Sequence, residues 1–401
     1  MNRAVIICGV PPIRSIGAGR LAIELERQAA SRPDVRLIFA GNRSAVADAV
    51  RGRRWGSAAR ALAIHAGRRA RQRLLAVSPE LSAAESLILL HPQSIGGRWS
   101  LALIRRRRNP TWIYLLDSSF FCIRSYNHLA TESDACTRCL GGGWAAAKDH
   151  GCRPYPAGHD CGLTFLKELR SLAVAGRVRF MAQNPGQAAL AERHFNARLP
   201  VPVVGMWTID LAEAFAEGSE LKVSPSRAGS HDVVFHGGDH PAKGFGWALD
   251  VARRLPAARF LFPMAWRPGA GWGERPTNCE FTPMTWESGL GDAVASALVT
   301  LVPSLWSAPV EGALVKSIAQ GRAVAAPAIE SGFVADLPTG LVRLLAKSPG
   351  IAAEQLRETL AIGWRPEPST LTGWKARFKA DNAPLLAKML QVASPPPRPS
   401  R

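Results

Sequence analysis

The chain has 401 residues, 47% of them apolar, and its 50 Lys and Arg against 31 Asp and Glu leave a formal net charge of +19. That length exceeds one ordinary domain and implies two hydrophobic cores. No apolar run is long enough to span a bilayer, and the opening run 4–10 is halted by Pro11-Pro12. It reads as a first strand and not a signal peptide, so a cytoplasmic enzyme is the expectation.

Residue 10 leads into a loop, 11–20, that carries Gly17 and Gly19 ahead of a helix over 21–30. A glycine-bearing loop between a first strand and a first helix lets a ligand approach the backbone. A second strand is expected at 35–40. The positive charge then concentrates at Arg51, Arg53, Arg54, Arg60, Arg68, Arg69, Arg71 and Arg73, a run with no acidic residue, and again at 105–108. Such blocks attract polyanions. An anionic membrane surface fits better than nucleic acid, because Trp55 is the one aromatic residue in the first block and no nucleic-acid motif surrounds it; no nucleic-acid partner is expected. A solvated helix face is the plain alternative.

Strands are expected at 87–90, ending at His91, and at 112–116, ending at Asp117. A lone histidine at a strand end is more often structural than chemical. Four of the seven cysteines cluster as Cys136-Thr-Arg-Cys139, Cys152 and Cys161. In a chain without a disulfide framework, a Cys-x-x-Cys knuckle with two further thiols is a candidate structural Zn site. Cys8 and Cys279 read as buried small side chains. A helix is expected at 163–175, a strand at 178–182, a helix at 187–195 capped by Asn184, and a strand at 201–206.

The mixed stretch 209–231 reads as a linker. Beyond it the alternation restarts with a strand from Asp232, a turn at Gly237, the pair Lys243-Gly244 and a helix over 247–255. Strands follow at 259–263 and 279–284, then a helix at 286–295. The apolar run 297–302, cut off by Pro303, reads as a buried parallel strand. Pro309 suits the first turn of a helix that runs to Gly321, with Val310, Glu311, Gly312 and Lys316 along it, and a strand at 323–326. The start of that helix stands open at the carboxyl edge of a sheet, a natural place for a phosphate. Helices are expected at 341–347, 351–359 and 372–392, and a disordered tail after them.

The stretch Pro303-Ser304, Trp306, Pro309 to Gly321 resembles the donor-site signature of retaining GT-B glycosyltransferases, and Lys243-Gly244 resembles the second donor motif of that family. The family's two glutamates fall on Ala308 and Lys316, while Glu311 stands where a glycine is usual. Asp117 and Cys122, followed by the cysteine cluster, resemble a subset of the family that has a His-Asp pair at that strand end; Leu116 replaces the histidine.

The resemblance implies an α/β chain of two Rossmann-like, doubly wound domains facing a cleft. Its parts would be an acceptor-side domain at 1–207, a linker at 208–231, a nucleotide-sugar domain at 232–370, a crossover helix at 371–393 and a tail at 394–401. It implies sugar transfer from a nucleotide sugar to a saccharide or lipid-linked acceptor in cell-surface polysaccharide or glycan synthesis, with retention and no metal required at the diphosphate. Gly17, Gly19, Gly237, Lys243, Gly244, Pro309, Val310, Glu311, Gly312 and Lys316 would meet the donor, and Asp117 the reacting sugar. The chain would be cytoplasmic or peripheral on the inner face of the plasma membrane. The losses at Ala308, Lys316 and Leu116 keep open a non-catalytic relic that binds a glycan or a partner. A Zn-dependent nucleic-acid-binding protein is the third reading.

Overall fold

A computed structural model describes residues 4–14, 16–39, 84–154, 162–197, 200–216 and 231–394, with short pieces between 55 and 81. The chain divides into two compact units. One comprises Met1–Ser125, Arg138–Ile209 and Asn382–Arg401, the other Tyr126–Thr137 and Asp210–Asp381.

The first unit is built on five parallel strands, β1 Ala4–Cys8, β2 Val35–Phe39, β3 Ser86–Leu90, β4 Thr111–Tyr114 and β5 Val178–Met181, in the order β2-β1-β3-β4-β5. Every residue of β1, β3 and β4 is buried. Continuous apolar runs of this kind belong to strands covered by helices on both faces, which alternating strands cannot be. Helices α1 Gly17–Ala29, α2 Pro92–Arg106, α3 Ala145–Asp149, α4 Leu163–Val174 and α5 Pro185–Phe195 accompany the sheet. Val201 to Met206 makes no strand. A single bridge joins Ala182 to Val203, because Pro200 and Pro202 have no N–H to continue a ladder.

The second unit has six parallel strands, β6 Val233–Phe235, β7 Phe260–Phe262, β8 Cys279–Phe281, β9 Val299–Leu301, β10 Ala323–Pro327 and β11 Arg343–Leu345, in the order β11-β10-β9-β6-β7-β8. Its core is aromatic, with Phe235, Phe262 and Phe281 stacked in line at 5.1 and 5.0 Å between ring centroids. The expected helix at 341–347 is instead the edge strand β11, drawn into extended form by its pairing with β10 after the positive-φ turn at Gly340. The expected helix at 286–295 is broken by Gly289 at φ 121°, leaving an irregular turn and then the short helix Gly291–Ser296. Part of the expected linker is helical, Ile209–Ala214, and 217–230 lie outside the described residues.

The expected final helix is two helices, Pro368–Asn382 and Leu385–Ala393, since Pro384 cannot donate an intrahelical bond. The second of them belongs to the first unit. Leu386 N–H donates to Gln28 Oε1 on α1, and Ser86 Oγ on β3 donates to the Ala393 carbonyl. Residues 395–401 of the expected tail lie outside the described residues.

In an open parallel sheet, ligands bind beyond the carboxyl ends of the strands where the winding direction reverses. The first sheet reverses between β1 and β3, and the second between β6 and β9.

Candidate functional site

The reversal in the second sheet lies between the two strands that lead into the candidate donor loops. After β6 the chain runs through Gly237 into a single 3-10 turn, Pro241–Lys243, then Gly244 and helix α6, Phe245–Arg253. After β9 it runs from Pro303 to helix α7, Gly312–Ala319. The two loops are tied together. Leu305 N–H donates to the Ala242 carbonyl at 2.9 Å, and Gly244, at φ +69°, lies so close that a Cβ there would come within 1.9 Å of the Pro303 carbonyl oxygen. Glycine is required on both counts. Gly237 is also confined, because a Cβ there would meet the Phe235 ring at 2.7 Å.

Lys243 Nζ donates to Glu311 Oε2 at 2.7 Å, and Ser304 Oγ donates to the same oxygen at 2.9 Å. The ammonium also lies over the Trp306 ring, 5.1 Å from its centroid, and 5.6 Å from that of Tyr126. Glu311 is the N-cap of α7 in extended conformation, so the helix begins at Gly312 and not at Pro309 as expected. Pro309 carries no N–H, and the bond from Val315 N–H to the Glu311 carbonyl is the first of the helix. The N–H groups of Gly312, Ala313 and Leu314 precede it and have no intrahelical acceptor. A shallow hollow opens beside Glu311 and Leu314, lined also by Ser304, Trp306, Ala308 and Phe333 among others. One cation, one carboxylate and the positive end of a helix dipole therefore meet at one sheet edge.

No family model matches the sequence, and no curated protein matches it. Solved structures match along nearly the whole chain. The sucrose-phosphate synthase of Thermosynechococcus elongatus is 13% identical with a TM-score of 0.58, covering 97% of this chain and 98% of its own. A glycosyltransferase from Rickettsia africae is 9% identical with a TM-score of 0.59, covering 98% of both chains. HepE of Anabaena, solved in complex with UDP, is 12% identical with a TM-score of 0.58, again over 98% of both. The chain has the GT-B fold.

Within this GT-B chain Lys316 is paired separately from Lys243 and Glu311. It is 3% exposed, its Nζ lies 2.9 Å from Asp210 Oδ2, and it sits 4.6 Å from the centroid of the Trp286 ring. The expectation that Lys316 meets the donor is therefore not what the geometry shows. Its charge is already met by a buried carboxylate, on a residue assigned to a linker from the sequence. One residue on, Ser317 Oγ lies 2.8 Å from His236 Nδ1, and the His236 ring stacks on Trp286.

In the first unit, Gly17 and Gly19 are in the opening turn of α1 and not in a loop. A Cβ on Gly19 would meet the Ile13 carbonyl oxygen at 2.3 Å, whereas Gly17 has nothing within 4 Å. Gly19 thus serves the packing of the preceding loop on the helix. Asp117 follows β4, with Oδ1 accepting from Ser119 N–H at 2.8 Å and Oδ2 lying 3.5 Å from His91 Nε2. Sequence reasoning left His91 aside because nothing in a linear pattern says which strand ends are neighbours.

Cys139 and Cys152 pack against the first core, and Cys136 donates its N–H to the Asn127 carbonyl in the second unit. Among the described residues no three His, Cys, Asp or Glu side chains gather as metal ligands, and Cys161 lies outside them. Cys8 and Cys279 are buried, and that burial pushes both thiols up to about 12, which makes them unreactive packing groups. Of the eight clustered arginines only Arg60 is described, and it is exposed. No helix among the described residues is long and apolar enough to cross a membrane.

Proposed function

We propose that this protein is a glycosyltransferase that takes a nucleotide sugar as donor and transfers the sugar, with retention at the anomeric carbon, to a saccharide or lipid-linked acceptor in cell-surface polysaccharide or glycan synthesis. The observation that carries the reading is the convergence of Lys243, Glu311 and the open amides of Gly312, Ala313 and Leu314 at the reversal between β6 and β9.

A leaving nucleoside diphosphate gains negative charge as the bond from the sugar breaks. Fixed amide dipoles and an ammonium aimed at that point stabilise it without reorganising, so no metal is needed there. The diphosphate competes with Glu311 for Lys243. The displaced carboxylate, an acceptor only, is then left to receive hydrogen bonds from a ribose or sugar hydroxyl, the role that the family resemblance gives to a glutamate now replaced by Lys316. Val310 continues the loop into these amides, and Gly244 lets the loop after β6 close against Pro303 of the Val310 loop. Asp117, on the first unit, is the residue for the reacting sugar. The similarity in fold to HepE of Anabaena, a UDP complex, supports a uridine nucleotide as the first to try.

The deciding experiment incubates the purified chain with a panel of nucleotide sugars and follows both binding, by calorimetry, and release of nucleoside diphosphate with and without saccharide acceptors. Binding with release supports transfer. Binding without release under any acceptor supports a sugar-nucleotide-binding relic, and no binding at all removes the reading.

A further inference from the structure

His91 and Asp117 are the two charged or titratable side chains that follow adjacent strands, β3 and β4, at the carboxyl edge of the first sheet. The edge at β3 is where that sheet's winding reverses. His91 is held there against its own conformational preference. Its backbone is left-handed, φ 54° and ψ 63°, a region that is unfavourable for a non-glycine residue. What permits the conformation is Gly9 at the end of β1. A Cβ on Gly9 would stand 2.3 Å from the His91 carbonyl oxygen, and Gly9 N–H donates to the Leu90 carbonyl at 2.8 Å. Three strand ends therefore fix one imidazole.

The same helix start grips the loop beyond β4 a second time. Gln93 Nε2 donates to the Ser119 carbonyl at 3.2 Å, while Ser119 N–H donates to Asp117 Oδ1 at 2.8 Å. Both oxygens of Asp117 thus have a named neighbour, the Ser119 amide on one side and His91 Nε2 at 3.5 Å on the other. His91 Nδ1 is buried with no hydrogen-bond partner among the described residues. Of the two ring nitrogens, Nε2 is the one that faces the carboxylate. The side chains keep 12% and 15% exposure, so the pair is desolvated without being sealed.

We infer that His91 is a positioning residue for Asp117: an imidazole supplied by the neighbouring strand aims the carboxylate at a bound sugar. This rests on the transferase reading for the sugar. It does not rest on it for the pair.

Substituting His91→Gly removes the ring while suiting the left-handed backbone, and His91→Asn restores a donor in a residue that tolerates that region. In the transfer assay H91G is expected to lower kcat tenfold or more with donor KM within twofold, H91N to recover part of it, and Asp117→Asn to add little in the H91G background, since coupled residues do not multiply. Wild-type turnover in H91G, or losses in H91G and D117N that simply multiply, overturns the inference. Long-range proton–nitrogen spectra of histidine-labelled protein decide it independently of activity. The expectation is an Nε2–H signal for His91, assigned by its loss in H91G, that shifts in D117N. A His91 signal unmoved by D117N refutes the pairing even in an active enzyme. A chain that binds no nucleotide sugar refutes the proposed function and leaves this spectral result standing.

Discussion

Lys316 Nζ lies 2.9 Å from Asp210 Oδ2 with both residues buried, at 3% and 5% exposure. A buried pair contributes little relative to an apolar pair of the same volume, but breaking it strands one charge in a low-dielectric site. Lys316→Met should therefore destabilise the chain by roughly 3 to 5 kcal/mol, and Lys316→Met with Asp210→Leu should recover most of it. Chemical denaturation measures both. An unchanged midpoint in the single variant together with lost donor binding would return Lys316 to the ligand.

Lys243 and Glu311 are expected to separate binding from folding. Lys243→Met removes a charge-assisted contact of about 1.5–3 kcal/mol, so the affinity for a nucleoside diphosphate should fall tenfold or more while that for the nucleoside holds. Glu311→Gln keeps the shape of a side chain that is 13% exposed and should reduce donor binding or turnover with little change in Tm. Calorimetry across diphosphate, monophosphate and nucleoside reads the difference.

Gly244 and Gly17 should respond differently to alanine. Gly244→Ala drives a methyl to within 1.9 Å of the Pro303 carbonyl at a positive φ, so the loops after β6 and β9 must part. A loss of at least about 3 kcal/mol is expected from strain and overpacking together. Gly17→Ala meets nothing within 4 Å and should be neutral, or stabilising by up to roughly 1 kcal/mol through helix propensity. Equal melting temperatures for the two would contradict the geometry.

His194 predicts acid sensitivity. It is 0% exposed, its ring nitrogens are buried without partners among the described residues, and the Trp144 and Phe195 rings lie 5.3 and 4.6 Å away. Burial, with the Arg170 charge second, lowers its pKa from 6.5 to about 4. Above pH 6.5 neither state binds the proton, and between there and about 4 only the unfolded chain does. Stability should thus be complete above that window and fall by roughly 3 kcal/mol as pH descends through it. His194→Met should flatten this part of the curve of unfolding free energy against pH.

The clustered arginines lead to a membrane test. If a lipid-linked acceptor is used, flotation with liposomes should require anionic lipid and fade as salt rises. Equal flotation on neutral vesicles counts against a role for the charge.

The legibility of the molecule follows the range of the forces involved. Runs such as Ala4–Cys8 and Ser86–Leu90 declare buried parallel strands because apolar content and β-branching are local properties, and Gly244 after Lys243 marks a positive-φ turn for the same reason. The short strand Arg343–Leu345 misled because three residues carry no period, and only pairing with β10 made them extended. Glu311 was visible as an unusual acid at a helix start, although its partner Ser304 was not.

By itself the sequence determined the alternation of strand and helix, the two-domain α/β organisation, and the glycine-bearing loops that follow β6 and β9, because each is written in neighbouring residues. Tertiary structure alone decided which charges meet: Lys243 with Glu311, Lys316 with Asp210, His91 with Asp117. Those partners are 68, 106 and 26 positions apart, and an ion pair depends on distance through space, on which spacing along the chain is silent.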